Sequence, residues 1–104
     1  MWTLDQLRGH LENRKILWRK HALERMLERG TSRAEVFEVL VRGEMIEQYE
    51  ADRPFPSALL GVSAEPPLHV VVALDEAGGA IHISTAYRPD AAHFASDHRT
   101  RIKK

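Results

Sequence analysis

Two histidines, His21 and His69, stand near arginines at spacings that suit proton transfer beside anion binding. An imidazole titrates near neutrality and serves as acid or base, while a guanidinium is a permanent fork for phosphate. His69 opens the run His69-Val70-Val71-Val72-Ala73-Leu74-Asp75, and Arg88 closes Ala80-Ile81-His82-Ile83-Ser84-Thr85-Ala86-Tyr87-Arg88. Between them lies Glu76-Ala77-Gly78-Gly79, and Gly-Gly between two β-rich runs signals a hairpin. If Ala77 pairs with Ala80, His69 stands opposite Arg88, because opposed residues share a face. One face then carries Val70, Val72, Leu74, Ile81, Ile83, Thr85 and Tyr87. The other carries His69, Val71, Ala73, Asp75, His82, Ser84, Ala86 and Arg88, a floor of small residues with an imidazole and guanidinium rim. Such a face suits a polar ligand. A second constellation is helical: His21, Arg25 and Arg29 recur every four residues and share one stripe.

The elements that must position these residues follow from periodicity and caps. Thr3 to Leu11 predicts a short helix with Leu4, Leu7 and Leu11 on one stripe, and Lys15 to Trp18 a short strand. Arg19 to Arg29 reads as a helix whose apolar stripe is Ala22, Leu23, Met26 and Leu27, ended by Gly30. Ser32 and Glu35 form a capping box, and the next helix is expected to bury Val36, Phe37 and Leu40 before stopping at Gly43. Strands follow at Met45 to Tyr49 and Ser57 to Ser63, separated by the turn Asp52-Arg53-Pro54-Phe55-Pro56. The hairpin supplies two more. Arg88-Pro89-Asp90 ends the last strand, with one helical turn expected around Ala91 to Ala95. This order predicts an α+β, two-layer fold: N-terminal helices on one face of a four- to five-stranded, mainly antiparallel sheet.

Composition narrows the function classes. The chain has 104 residues and reads as one domain, with a helical extension over 1–13 and a polar basic tail over 89–104. Fifteen basic and fifteen acidic residues give a net charge of zero, which argues against nonspecific coating of nucleic acid. Cations crowd positions 14 to 33 and the C-terminus, however, so a local basic patch is compatible with neutrality. Without cysteine, disulfides and thiolate metal sites are excluded. No basic-then-apolar leader and no membrane-length apolar run is present, so a cytoplasmic protein with no membrane association is expected. No cofactor is expected, since Gly78-Gly79 belongs to a hairpin and not to a phosphate-binding loop. Asp90, His93, Asp97 and His98 all fall in the polar tail, so no metal site is expected there. His10 and His82 read as surface residues. Ser84 and Thr85 lack a neighbouring base for nucleophilic catalysis.

His21-Ala22-Leu23-Glu24-Arg25-Met26-Leu27-Glu28-Arg29-Gly30, the capped helix running to Arg42-Gly43-Glu44, Leu68 to Ala73, and Thr85 to Asp90 occur in order. Together they resemble the family catalogued as domain of unknown function 4258, over about Lys15 to Arg101. The resemblance implies a small RelE/ParE-like fold, related to barnase-like and colicin-type ribonucleases. It also implies a toxin of a toxin–antitoxin system, acting as a metal-independent endoribonuclease on RNA and held by a cognate antitoxin protein. Such cleavage needs a base near the 2′-hydroxyl, an acid at the 5′-oxygen, and cations for the phosphorane. On this reading His21 and His69 share the acid–base work, with Arg88 and Tyr87 completing the catalytic set. Arg25, Arg29, Arg99 and Arg101 bind substrate. The alternative is a non-catalytic RelE-like binding module for a partner protein or a small anionic ligand. The oligomeric state is left open.

Overall fold

Local caps set where the helices begin and end. In the computed structural model, which describes residues 1–62 and 67–89, the Thr3 hydroxyl accepts from the Gln6 N–H while the Gln6 side chain accepts from the Thr3 N–H. This capping box opens α1 (Leu4–Gly9). A 3-10 turn (His10–Asn13) follows, and Arg14, at φ 56°, redirects the chain into β1 (Ile16–Trp18). α2 (Lys20–Arg29) ends at Gly30, whose φ of 67° is the left-handed cap the sequence predicts. The Ser32–Glu35 capping box then opens α3 (Arg33–Arg42). Arg8 of α1 donates to the carbonyls of Leu40 and Gly43, at 3.0 and 2.7 Å, and so ties the N-terminal extension to the free carbonyl end of α3.

β2 (Glu44–Tyr49), β3 (Ser57–Val62), β4 (Leu68–Asp75) and β5 (Ala80–Tyr87) form an antiparallel meander. β1 joins it in parallel beside β5, which gives a mixed five-stranded sheet in the order β1-β5-β4-β3-β2. The fold is α+β, with the helices on one face. Val70, Val72 and Leu74 of β4, Ile81 and Ile83 of β5, and Ala58 and Leu60 of β3 meet Ala22 and Met26 of α2 and Val36, Val39 and Leu40 of α3. Fully burying a side chain of that size contributes about 1.5–3 kcal/mol relative to exposure. Phe37 departs from expectation. It is 42% exposed, because the buried stripe of α3 runs through Val36, Val39 and Leu40, and residue 37 sits about 100° around the helix from Val36.

The hairpin corrects the expected register. Its closing pair is Asp75 with Ala80, which leaves four residues in the turn where an Ala77–Ala80 pairing leaves two. The Gly79 N–H donates to the Asp75 carbonyl at 2.8 Å, and the Gly78 N–H donates to Asp75 Oδ1 at 2.9 Å. A two-residue shift preserves faces, so His82 still shares a face with Ala73, which it now opposes in place of Asp75. A bulge then reverses them. Val72 pairs with Ile83 but Val71 pairs with Thr85, leaving Ser84 as the extra residue. Beyond it Ala86 turns into the core, while Thr85 and Tyr87 turn to the open face. His69 therefore stands opposite Tyr87, not Arg88.

Candidate functional site

The face of the sheet away from the helices carries a groove of about 400 Å³ lined by Arg19, Asp52, Arg53, Pro54, Phe55, Ser57, Val71, Ala73, His82 and Ser84. Four separate elements build it. Arg19 follows β1, and its N–H donates to the Ile83 carbonyl at 3.2 Å, which anchors the base of its side chain beside β5. The β2–β3 connection raises Arg53 and Phe55 over the sheet. β4 contributes the small apolar floor, Val71 and Ala73. β5 contributes His82 and the bulged Ser84. The Phe55 and His82 rings stack with centroids 5.1 Å apart and an interplanar angle of 26°, so the imidazole orientation is set by a ring from the opposite wall.

Charge in the groove is positive. Arg53 Nη1 donates to the carbonyls of Glu50 and Asp52, at 3.4 and 3.1 Å. Neither Arg19 nor Arg53 enters an ion pair among the described residues. Asp52 is the one carboxylate among the lining residues, and it accepts a hydrogen bond from the Ser57 hydroxyl. Two guanidiniums against one engaged carboxylate favour an anion, and because both arginines are exposed that attraction weakens as salt rises. The arrangement can grip a phosphate and place an imidazole beside it.

The residues expected to form the site are dispersed. His69 is fully buried on the open face, opposite Gly61 and Tyr87. Its ring meets Tyr87 edge-on, with centroids 5.5 Å apart at 66°. Gly61 makes room for it: a Cβ there would lie 2.7 Å from His69 Cδ2. His21 sits in the helical layer with its side chain 88% exposed, and its Nδ1 is 3.7 Å from Glu24. His21 and His69 thus lie on opposite sides of the sheet. Arg25 and Arg29 are exposed on α2, away from the groove lining. Tyr87, expected in the core, joins His69 because of the bulge at Ser84. Arg88 turns the other way, toward the helices: its Nη2 lies 2.5 Å from Glu35 Oε2, and its Nη1 donates to the Pro67 carbonyl at 3.2 Å. That bond to Arg88, and then the Ser32 N–H, hold the Glu35 carboxyl below its usual range. Arg99, Arg101, the tail cluster Asp90, His93, Asp97 and His98, and the helical turn expected at Ala91 to Ala95 lie outside the described residues. Among the described residues no cluster of metal-binding side chains occurs, and no helix is long and apolar enough to cross a membrane.

The groove residues that sequence reasoning passed over are Arg19, Arg53, Phe55 and His82. The alternation had already put His82, Val71, Ala73 and Ser84 on one face. What alternation lacks is the wall: Arg53 and Phe55 interleave with Pro54 and Pro56, and in sequence that stiff connection signals only a turn.

Residues 18–88 match the family described as Domain of unknown function (DUF4258), and the chain belongs to that family. The matched interval contains every residue that lines the groove and leaves out α1. No curated protein and no solved structure matches the chain.

Proposed function

We propose that this DUF4258 protein binds RNA in the open-face groove and cleaves it without a metal, as a cytoplasmic toxin-type endoribonuclease with a RelE-like fold, restrained by a cognate antitoxin. The observation that supports this reading is the convergence of Arg19, Arg53 and His82 over the Val71–Ala73 floor, with Phe55 beside them. Arg19 and Arg53 flank a phosphodiester from different walls, and a base stacks against Phe55, a contact worth about 1–3 kcal/mol in single-strand binding. His82 is the proton-transfer group in the groove. The 2′-hydroxyl loses its proton to a base and attacks the adjacent phosphorus. The P–O bond to the 5′-oxygen breaks and that oxygen takes up a proton, leaving a 2′,3′-cyclic phosphate and a 5′-hydroxyl. The guanidiniums stabilise the phosphorane between these steps. In this reading the acid–base work moves from the His21–His69 pair to His82, and His69 and Tyr87 act as packed support for the face.

One observation favours a second reading. His82 is the one imidazole among the groove's lining residues, and the neighbouring Asp52 is engaged by Ser57. A groove with a single acid–base group also fits a non-catalytic module that holds a small anionic ligand. Incubating the protein with a labelled single-stranded RNA, and with the same strand carrying 2′-deoxyribose throughout, separates the two. Cleavage of the RNA alone, giving 5′-hydroxyl ends, supports the nuclease. Binding of both without cleavage supports the module, and no binding of either refutes both for nucleic acid.

A further inference from the structure

β1 ends the sheet, and among the described residues no strand pairs with its outer side. The Lys15 carbonyl accepts from the Ile81 N–H at 2.8 Å, and the Arg19 N–H donates to the Ile83 carbonyl at 3.2 Å. Main-chain groups alternate along a parallel ladder, so those of Ile16 and Trp18 point away from β5. Apolar surface flanks this edge on both faces. Toward the helices, a cavity of about 510 Å³ is lined by Leu11, Glu12, Arg14, Ile16 and Phe37, and Phe37 is the ring that α3 leaves exposed. On the open face Leu17 is 51% exposed. Cations bracket the strand: Arg14 and Lys15 precede it, Arg19 and Lys20 follow it, and the Arg33 guanidinium lies 5.5 Å from the Trp18 ring centroid. Two carboxylates stand near them, Glu12 in the cavity and Glu24, 3.9 Å from Lys20.

We propose that β1 is a docking edge for an acidic, extended segment of a partner protein. The segment adds as a sixth strand and seats a bulky apolar side chain in the Leu11–Ile16–Phe37 cavity. Main-chain pairing supplies affinity and the cavity supplies selection of alternate side chains. Charge identifies the occupant. Two copies of this edge would bring like cations together, which is how lysines and arginines normally guard an edge against self-pairing. An acidic strand turns the same cations into attraction and faster encounter. Nucleic acid brings the charge but no main-chain ladder and no apolar side chain for the cavity.

The test is amide hydrogen exchange of the full chain with a short synthetic peptide alternating leucine and glutamate, beside one alternating leucine and lysine. The acidic peptide should slow exchange at Ile16 and Trp18 and leave the β3 and β4 amides unchanged. Arg14→Glu and Lys15→Glu, both exposed, should each weaken that peptide by about tenfold without lowering the melting temperature. Unchanged exchange at Ile16 and Trp18 under excess acidic peptide overturns the proposal, as does equal protection by the lysine peptide. Protection that appears without peptide as protein concentration rises also overturns it, by giving the edge to a second copy. Protection by single-stranded RNA alone would overturn it in favour of nucleic acid.

Discussion

Replacing Arg88 with alanine should destabilise the fold, and its contacts with Glu35 and Pro67 set the scale of the loss. Its Nη2 lies 2.5 Å from Glu35 Oε2, with the two side chains 26% and 41% exposed. Exposed ion pairs contribute up to about 1 kcal/mol, and solvent at Glu35 keeps this pair near that figure despite its short contact. Losing the 3.2 Å bond to the Pro67 carbonyl removes about 1 kcal/mol more. The combined loss of about 2 kcal/mol corresponds to a fall in melting temperature of about 10 °C for a chain of this size. The pair also makes stability depend on pH. Glu35, with an ordinary value of 4.5, is lowered chiefly by the Arg88 hydrogen bond. A carboxylate whose folded pKa is depressed contributes fully above its unfolded value, and that contribution is lost as pH falls through the folded value. A double-mutant cycle of Arg88→Ala and Glu35→Gln, measured by urea unfolding, should show a coupling of about 1 kcal/mol at neutral pH that disappears in strong acid. An Arg88→Ala protein that melts like the wild type, or a coupling that survives in acid, would refute the reasoning.

Three further outcomes follow. Gly61→Ala sets a Cβ 2.7 Å from both His69 Cδ2 and Ile46 Cδ1; the overpacking should cost about 1–3 kcal/mol by urea unfolding and shift the His69 ring resonances in NMR. Ser32→Ala removes the hydroxyl that accepts the Glu35 N–H at 3.1 Å, a loss of about 1 kcal/mol in thermal unfolding. His21→Ala, on a side chain 88% exposed, should change stability by no more than about 0.5 kcal/mol and leave any RNA cleavage intact, since that residue lies outside the groove.

The helices were legible in the sequence because their signals are local. Thr3, Gly30 and the Ser32–Glu35 box each mark a boundary through contacts within a few residues, and the structure keeps all three. The strands were legible as segments, including the three residues of β1. Their pairing was not, because register depends on turn closure and on bulges that leave no trace in alternation. Ser84 shows the consequence. One extra residue exchanged the faces of Tyr87 and Arg88, dissolved the expected His69–Arg88 pair, and sent Arg88 to Glu35 on α3. His69 looked accessible at a strand end, yet it is fully buried, its ring in volume that Gly61, eight residues earlier on β3, leaves free of a side chain. The lead that the open face carries small residues with an imidazole and guanidinium rim persists with different members: His82 for His69, and Arg19 and Arg53 for Arg88. Arg53 and Arg19 come from elements far apart in sequence, and spacing alone cannot bring them together.

The most direct test of the groove is the salt dependence of RNA binding by the wild type, Arg19→Ala and Arg53→Ala, followed by fluorescence anisotropy on a labelled single strand. Two phosphate contacts give a slope of about −1.4 in log K against log salt for a single strand, a weakening of about sevenfold between about 50 and 200 mM. Each single substitution should reduce the slope to about −0.7 while the melting temperature holds. No binding at low salt, or slopes that neither substitution changes, would contradict the assignment of this groove to an RNA phosphate.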